Sequence, residues 1–503
     1  MTDHGRPTGT WQIAATPIHW CGKASPILTG LHSSGGRDDK PTKLPLAVAR
    51  DIEERFVRDG WPTGAVYGSE AALADQYRVG RDVMREAVRI LEGRGVARVR
   101  RGPQGGLVVG APSEAHLVKM VSGFAYLTGV TVPEITEAWV AVHVSAIRYV
   151  GARVKEGYRW GPVVQPHSEA AASDTDVLRR FAAEVIERSG NRASELFSVI
   201  LTSLLPEVAA GGPACTGLEL LRRRIIDDLN DGRIEDAARR GRELFGHIAP
   251  ASARTHESDT GPRLPDSDAM HQISTPAFEL VRRFMAATAP DDWVAGQPLG
   301  NEFAIAESLR VDRSVVRQAI RIMEAAETAV TLPGRGRGLT TRRPTSAPLS
   351  RLICVYLASC HEPIADVAAA AAGLMSEATH LAAQKATTHE VVVLHRLLDD
   401  LPELSGSLPL SALQPVERLQ HRLADNALLS LFLDGAHAYT SWSGTEQRLL
   451  QSWAVEQYVQ STQEVLEAIV AGDGHQASRL EAVKQDRLMR CRSASRPGGG
   501  RNA

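Results

Sequence analysis

Residues 69–95 read SEAALADQYRVGRDVMREAVRILEGRG, and residues 301–327 read NEFAIAESLRVDRSVVRQAIRIMEAAE. Laid one above the other without a gap, Glu70 falls on Glu302, Arg81 on Arg313, Arg85 on Arg317 and Arg89 on Arg321, each 232 residues apart. The register runs on into a glycine-rich stretch, where Gly102 meets Gly334, Gly106 meets Gly338 and Leu107 meets Leu339. Self-similarity at a fixed period predicts a tandem duplication of a unit of roughly 230 residues.

Within the first copy the pattern is that of three helices and a hairpin. Val48, Ile52 and Phe56 recur every four residues, and Gly60 closes that amphipathic helix. After Pro62 and Gly64, Ser69 has the chemistry of an N-cap for a helix running through Leu73, with Glu70 in its first turn. The tetrapeptide RVGR makes a tight turn, and the next helix runs from about Asp82 to Gly93. Met84, Val88 and Leu91 fall on one face of it, which should pack inward. Arg81, Arg85 and Arg89 share another face, where three guanidiniums suit a DNA major groove. VARVRRGPQGGLVVG then reads as strand, glycine-rich tip and strand: a wing, with Arg100, Arg101 and Gly102 near its tip. The second copy places Val316, Ile320 and Met323 inward, and Arg313, Arg317 and Arg321 outward. Its wing is TLPGRGRGLTTRR, with Arg335 at the tip.

Charge is consistent with this only locally. The whole chain carries a formal charge of −2, so a general basic excess is absent. Residues 78–101, however, hold eight arginines against three acids, and residues 310–343 repeat that ratio. A single arginine triplet is commonly just a solvated helix face. Two triplets, each after a helix turn and each before a glycine-rich wing, favour a DNA-reading surface.

The rest of the composition sets the class. With 503 residues, 43% hydrophobic and only 5% aromatic, the chain is expected to fold as several mainly helical domains. Five scattered cysteines (Cys21, Cys215, Cys354, Cys360, Cys491) form no C-x-x-C pair and fit reduced thiols in a cytoplasmic protein. No apolar run is long enough for a transmembrane helix, and the N-terminus lacks signal-peptide character.

The two predicted heads resemble the winged helix-turn-helix of the GntR family of bacterial regulators. The residues that carry the resemblance in the first copy are Gly64, Ser69-Glu70, Leu73-Ala74, Val79-Gly80-Arg81, Val83, Arg85-Glu86-Ala87, Leu91, Gly102 and Gly106. In the second they are Gly296, Leu299, Glu302, Ile305-Ala306, Val311-Asp312-Arg313, Val316-Arg317-Gln318-Ala319, Gly334 and Gly338. The resemblance implies that Arg81, Arg85, Arg101, Arg313 and Arg317 contact DNA. Two departures stand out. The Ser or Thr usual before the first recognition arginine is Gly80 in one copy and Asp312 in the other, and Pro333 replaces the arginine matched by Arg101.

The segments after each head are similar to the helical effector domain of the FadR-type (FCD) branch of that family. FAAEVIERSGN ending at Asn191, VERLQHRLADN from Val416 to Asn426, and TQEVLEAIVAGDGHQA from Thr462 carry that likeness. Many members of the branch hold a divalent metal through three histidines and an acid. Here the first histidine position holds Ala182 or Glu417, the second Arg222 or Thr462, and the third Leu244 or Phe245, or Lys484, so no metal and no cofactor are expected. His143, His247, His380 and His421 remain near those positions. Arg222 and Lys484, with Asn191, Glu417 and Asn426, are the candidate effector-binding residues, for a small carboxylate or an acyl-CoA bound without metal.

The expected architecture is therefore mainly α. It comprises a tail (1–42), a winged helix-turn-helix (43–112), an antiparallel helical bundle (113–249), a linker (250–273), a second winged helix-turn-helix (274–344), a second bundle (345–493) and a tail (494–503). The expected function is a repressor-type DNA-binding transcriptional regulator that acts as a pseudo-dimer within one chain and allows a further homodimer. An architectural DNA-binding protein with non-sensing helical domains is the alternative. An enzyme is not expected: no Walker loop, H-E-x-x-H, G-x-S-x-G or dinucleotide fingerprint is present.

Overall fold

The computed structural model describes residues 44–102, 105–155, 157–160, 174–205, 216–248, 276–286, 296–332, 338–342, 344–399, 401, 408–442 and 449–493. The predicted tails, the 250–273 linker, Gly334 and Arg335 lie outside these residues. The chain is mainly helical, with three small antiparallel sheets among the described residues.

The first block contains α1 (Leu44–Arg58), α2 (Glu70–Tyr77), α3 (Arg81–Gly93) and a hairpin of β1 (Ala97–Arg100) and β2 (Gly106–Val109), in which Ala97 faces Val109 and Arg100 faces Gly106. Val48, Ile52 and Phe56 of α1 are buried against Met84, Val88 and Leu91 of α3, as their spacing predicts. Ser69 caps α2 by accepting the Ala72 amide at 3.1 Å. That helix runs to Tyr77, four residues past the expected Leu73, because Arg78 ends it in the left-handed region at φ 51°. Gly106 is obligatory: a Cβ there would lie 2.4 Å from the Gly68 carbonyl oxygen, at a φ of +153°.

Six helices follow: α4 (Glu114–Leu127), α5 (Val132–Lys155), α6 (Asp174–Ser189), α7 (Arg192–Leu204), α8 (Thr216–Asn230) and α9 (Ile234–Gly246). The chain then presents α10 (Pro276–Ala286), β3 (Pro298–Gly300), α11 (Glu302–Leu309), α12 (Arg313–Ala325), β4 (Ala329–Thr331) and β5 (Leu339–Thr341), with the sheet order β3-β5-β4. Here Arg310 ends α11 at φ 52°, and a Cβ on Gly338 would lie 2.4 Å from the Gly300 carbonyl oxygen. Both details repeat those at Arg78 and Gly106. The last stretch holds α13 (Ala347–Ser359), α14 (Ile364–Lys385), α15 (Thr388–Asp399), β6 (Leu408–Pro409), a 3-10 turn at Leu410–Leu413, α16 (Gln414–Arg422), α17 (Ala427–Trp442), β7 (Leu449–Leu450), α18 (Ser452–Val470) and α19 (Gly474–Ser493).

The two halves of the chain pack reciprocally. Helix α5 lies against α14, its counterpart at an offset of 232. Asn191 caps α7 through the Ser194 amide and donates across to the Asp366 carbonyl at 2.8 Å. Asn426 caps α17 through the Leu429 amide and donates back to the Glu134 carbonyl at 2.8 Å. Phe197 and Phe432 stack with their centroids 4.3 Å apart. The small blocks cross over, α1 resting on α13 of the second half and α10 on α4 of the first.

These crossed seats differ in chemistry. At the first, the buried Glu53 carboxylate accepts from Arg94 of the same block at 2.8 Å and from Arg351 of α13 at 2.6 Å. Burial alone pushes the Glu53 carboxyl up, but the two guanidiniums reverse this and hold it below its ordinary value. Glu327, just beyond α12, joins the cluster through Arg50 at 3.3 Å. At the second seat Lys119 stands where Arg351 does, Ala326 replaces Arg94 and Met285 is the residue matching Glu53. A cavity of about 20 Å³, lined by Lys119, Met120, Phe124, Val281 and Met323, lies there. Accordingly the apolar core of the first block is continuous with that of the helical bundles, while the second block has its own small core closed by Leu127. Glu53→Gln takes the nearest carboxylate from two buried guanidiniums, leaving Arg351 only Glu54 at 3.4 Å and Arg94 only Glu327 at 3.8 Å. It should lower stability by about 3–5 kcal/mol in chemical denaturation, and a loss below about 1 kcal/mol would show that the cluster is not what holds the first block.

Candidate nucleic-acid interface

The amphipathicity of α3 decides what it exposes. Once Met84, Ala87, Val88 and Leu91 are committed to the core, Arg81, Arg85 and Arg89 must point to solvent, and all three are exposed. In α12, Val316, Ala319 and Met323 are buried, and Arg313, Arg317 and Arg321 are exposed. Each helix is tied to its hairpin by an acid in its last turn. The Val99 amide donates to Glu92 at 3.0 Å, and the Thr331 amide donates to Glu324 at 2.8 Å. The hairpin therefore stands beside the arginine face in a fixed position. Arg100, Arg101 and Gly102 are exposed at its described end, with Gly102 at φ 112°.

Acids moderate both faces. Arg85 pairs with Glu70 at 3.3 Å and with Asp82 at 3.2 Å, and Arg89 pairs with Glu86 at 3.2 Å. In the second block Glu302 receives Arg317 at 2.7 Å and lies 3.8 Å from Arg313. The hydrogen bond from Arg317 holds the Glu302 carboxyl below its ordinary value. Arg313 also lies flat over Phe303, 3.8 Å from the ring centroid. These pairs are solvent-exposed and individually weak, so an incoming phosphate competes with them on even terms.

Asp312 has a structural account that the sequence did not reveal. It is the N-cap of α12, accepting the Ser314 amide at 2.7 Å, and the Ser314 side chain together with that amide holds its carboxyl below the ordinary value. Gly80, at the same place before α3, supplies no side-chain cap. The positive end of α12 is thus covered by its own carboxylate, and that of α3 is open.

The candidate effector residues are not brought to one place, and each has partners inside the protein. Arg222 grips Glu219 with two bonds of 2.8 Å and lies over Phe181. Asn191 and Asn426 are the helix caps that bridge the halves. Glu417 and Lys484 pair with each other at 3.0 Å, Glu417 accepting also from Tyr458 and Gln485, and Lys484 reaching Glu481 and Gln420. Burial pushes the Glu417 carboxyl up, yet Lys484 and the Tyr458 hydroxyl bring it down to about 2. A cavity of about 30 Å³ opens beside Glu417, His437, Thr440 and Gln485. Nothing in the sequence marked Gln420, Tyr458 or Glu481 as members of this network, since each is an ordinary residue on an amphipathic helix.

Elsewhere, His143 is buried between the Trp139 carbonyl and Ser198, and burial pushes its imidazole down to about 4. Among the described residues no group of three or more His, Cys, Asp or Glu is placed to hold a metal ion. No described helix is long and apolar enough to cross a membrane.

No protein-family model matches the chain, and no curated protein matches it. Among solved structures it is similar to Streptococcus agalactiae GntR, with 16% identity, 43% of this chain and 99% of that one covered, and a TM-score of 0.32. At that score the likeness carries no weight for function.

The caps make a direct test. Asp312→Ala should cost about 1 kcal/mol, and Gly80→Asp should gain a few tenths of that by supplying α3 with the same cap. Chemical denaturation of the full chain measures both. Equal stability of Asp312→Ala and wild type would remove capping as the reason for an aspartate there.

Proposed function

We propose that this chain is a cytoplasmic DNA-binding transcriptional regulator, a repressor in mode, of the GntR kind that its sequence resembles. Its two small blocks are winged helix-turn-helix heads produced by tandem duplication, and α3 and α12 are their recognition helices. The observation that carries this reading is the pair of exposed triads, Arg81/Arg85/Arg89 and Arg313/Arg317/Arg321, each on a helix braced against a hairpin. Arginine on such a face pairs with phosphate or bidentately with guanine, and the hairpin arginines supply further backbone contacts. The two heads differ at Gly80 and Asp312, so the expected operator is an imperfect palindrome, with the stronger half under α3.

An effector, if the helical domains sense one, is a small carboxylate or acyl-CoA held near Arg222 or Lys484. A specific observation favours the alternative, an architectural protein with non-sensing helical domains. Arg222 is satisfied by Glu219, and Lys484 by Glu417 and Glu481, so neither cation offers an unmatched charge to an anion. Release of DNA on addition of a carboxylate or acyl-CoA would separate the two readings.

Selection of bound fragments from genomic DNA tests the proposal. The wild type should enrich a two-part site at moderate salt. Arg81→Ala/Arg85→Ala should lose one half of that site and Arg313→Ala/Arg317→Ala the other, with each double variant weakening binding about 10-fold or more. No enrichment by the wild type, where non-specific phosphate contacts are screened, would overturn it.

A further inference from the structure

The contact between α5 and α14 joins unlike surfaces. Two arginines of the first half, Arg148 on α5 and Arg242 on α9, converge on Glu377 of α14. Arg148 donates Nε to Oε1 at 3.3 Å, and Arg242 donates Nε to Oε2 at 2.6 Å and Nη2 to Oε1 at 2.9 Å. Both arginines also donate to the Ser478 hydroxyl of α19, at 3.1 and 2.6 Å. Glu377 is only 3% exposed, and Arg148 8%. The remaining nitrogens find Glu235 of the first half and His475 of the second. The cluster is buried, closely hydrogen-bonded and made across the halves.

The matching positions break the symmetry. At the offset of 232, Glu377 corresponds to Ser145 and Arg148 to His380. Helices α9 and α19 begin 240 residues apart, at Ile234 and Gly474, and on that register Arg242 corresponds to Ala482. Two copies of the first half, paired through this face, would bury four arginines with Ser145 where Glu377 stands, each Arg148 keeping only Glu235 of its own half. Two copies of the second half would bury two glutamates with no arginine. Shape adds to charge. Gly373 accommodates Ser145, because a Cβ on Gly373 would lie 2.4 Å from the Ser145 hydroxyl oxygen, and the first half carries Ala141 at the position of Gly373.

We propose that the α5–α14 face is a one-way recognition surface: the first half binds the second half and rejects a copy of itself. The pairing face of each chain is therefore consumed within the chain, and a homodimer, if one forms, uses another surface. Attraction within the unlike pair and the loss of the Glu377 partner of Arg148 and Arg242 within either like pair act in the same direction. The inference stands on contacts between the halves and does not depend on DNA binding.

The test starts from the folded full-length chain carrying a specific protease site between residues 250 and 273. After cleavage, the protein is diluted until the fragments part and is then concentrated again. Native mass spectrometry should find the one-to-one pair of unlike fragments and neither like pair. The same cycle on the Glu377→Gln chain, in which the covalent link preserves folding before cleavage, should show reassociation weakened on the order of 100-fold. Like-with-like pairs, fragments that separate on cutting and do not rejoin, or an unchanged affinity for Glu377→Gln would each overturn the proposal.

Discussion

The seat of α5 on α14 is the constraint from which the remaining geometry follows. It is close enough that Ser145 requires a glycine opposite it, and the buried Glu377 carboxylate meets its two arginines across the halves. Once these helices are seated, α7 and α17 are brought near enough for Phe197 and Phe432 to stack and for Asn191 and Asn426 to cap and bridge at the same time. Each asparagine spends its oxygen on its own helix and its nitrogen on the other half. Secondary structure and assembly thus share one side chain, and neither is formed correctly without the other.

The crossed placement of the small blocks follows from this seat, but their attachment does not repeat. The first block is held by a buried acid between two arginines, which is directional and costly to break. The second meets α4 at a small cavity lined by Phe124, Val281 and Met323 together with Lys119. The two blocks thus differ in sequence at the joint, while their arginine faces keep the same spacing. Displacement of α13 would be transmitted to the first block through Arg351 and Glu53, and onward through Arg50 to Glu327 of the second block.

What was legible in the sequence is what is local. The burial of Met84, Val88 and Leu91, the exposure of the two arginine triads and the Ser69 cap all follow from spacing within one or two helical turns. The left-handed end of α2 was missed because Arg78 gives no sign of that conformation, which is rare for a side chain of its kind. The partners of Glu53, Arg148 and Glu417 were illegible for another reason. Arg351 lies 298 residues from Glu53 and Glu377 lies 229 from Arg148, so no periodicity links them. Lys484 and Glu417 are read from the sequence as candidate effector contacts, and the sequence shows the charges without showing that they neutralise each other.

The reciprocal contacts lie within a single polypeptide, and this changes how the protein responds to its own abundance. A pair assembled from separate chains falls apart on dilution, and its concentration rises with the square of the monomer's when monomer predominates. Here the second surface travels with the first at a fixed local concentration set by the connecting segment. Every chain made is a complete pair from its first molecule, and the number of pairs follows the number of chains in simple proportion. A cell holding only a few copies would keep them all assembled.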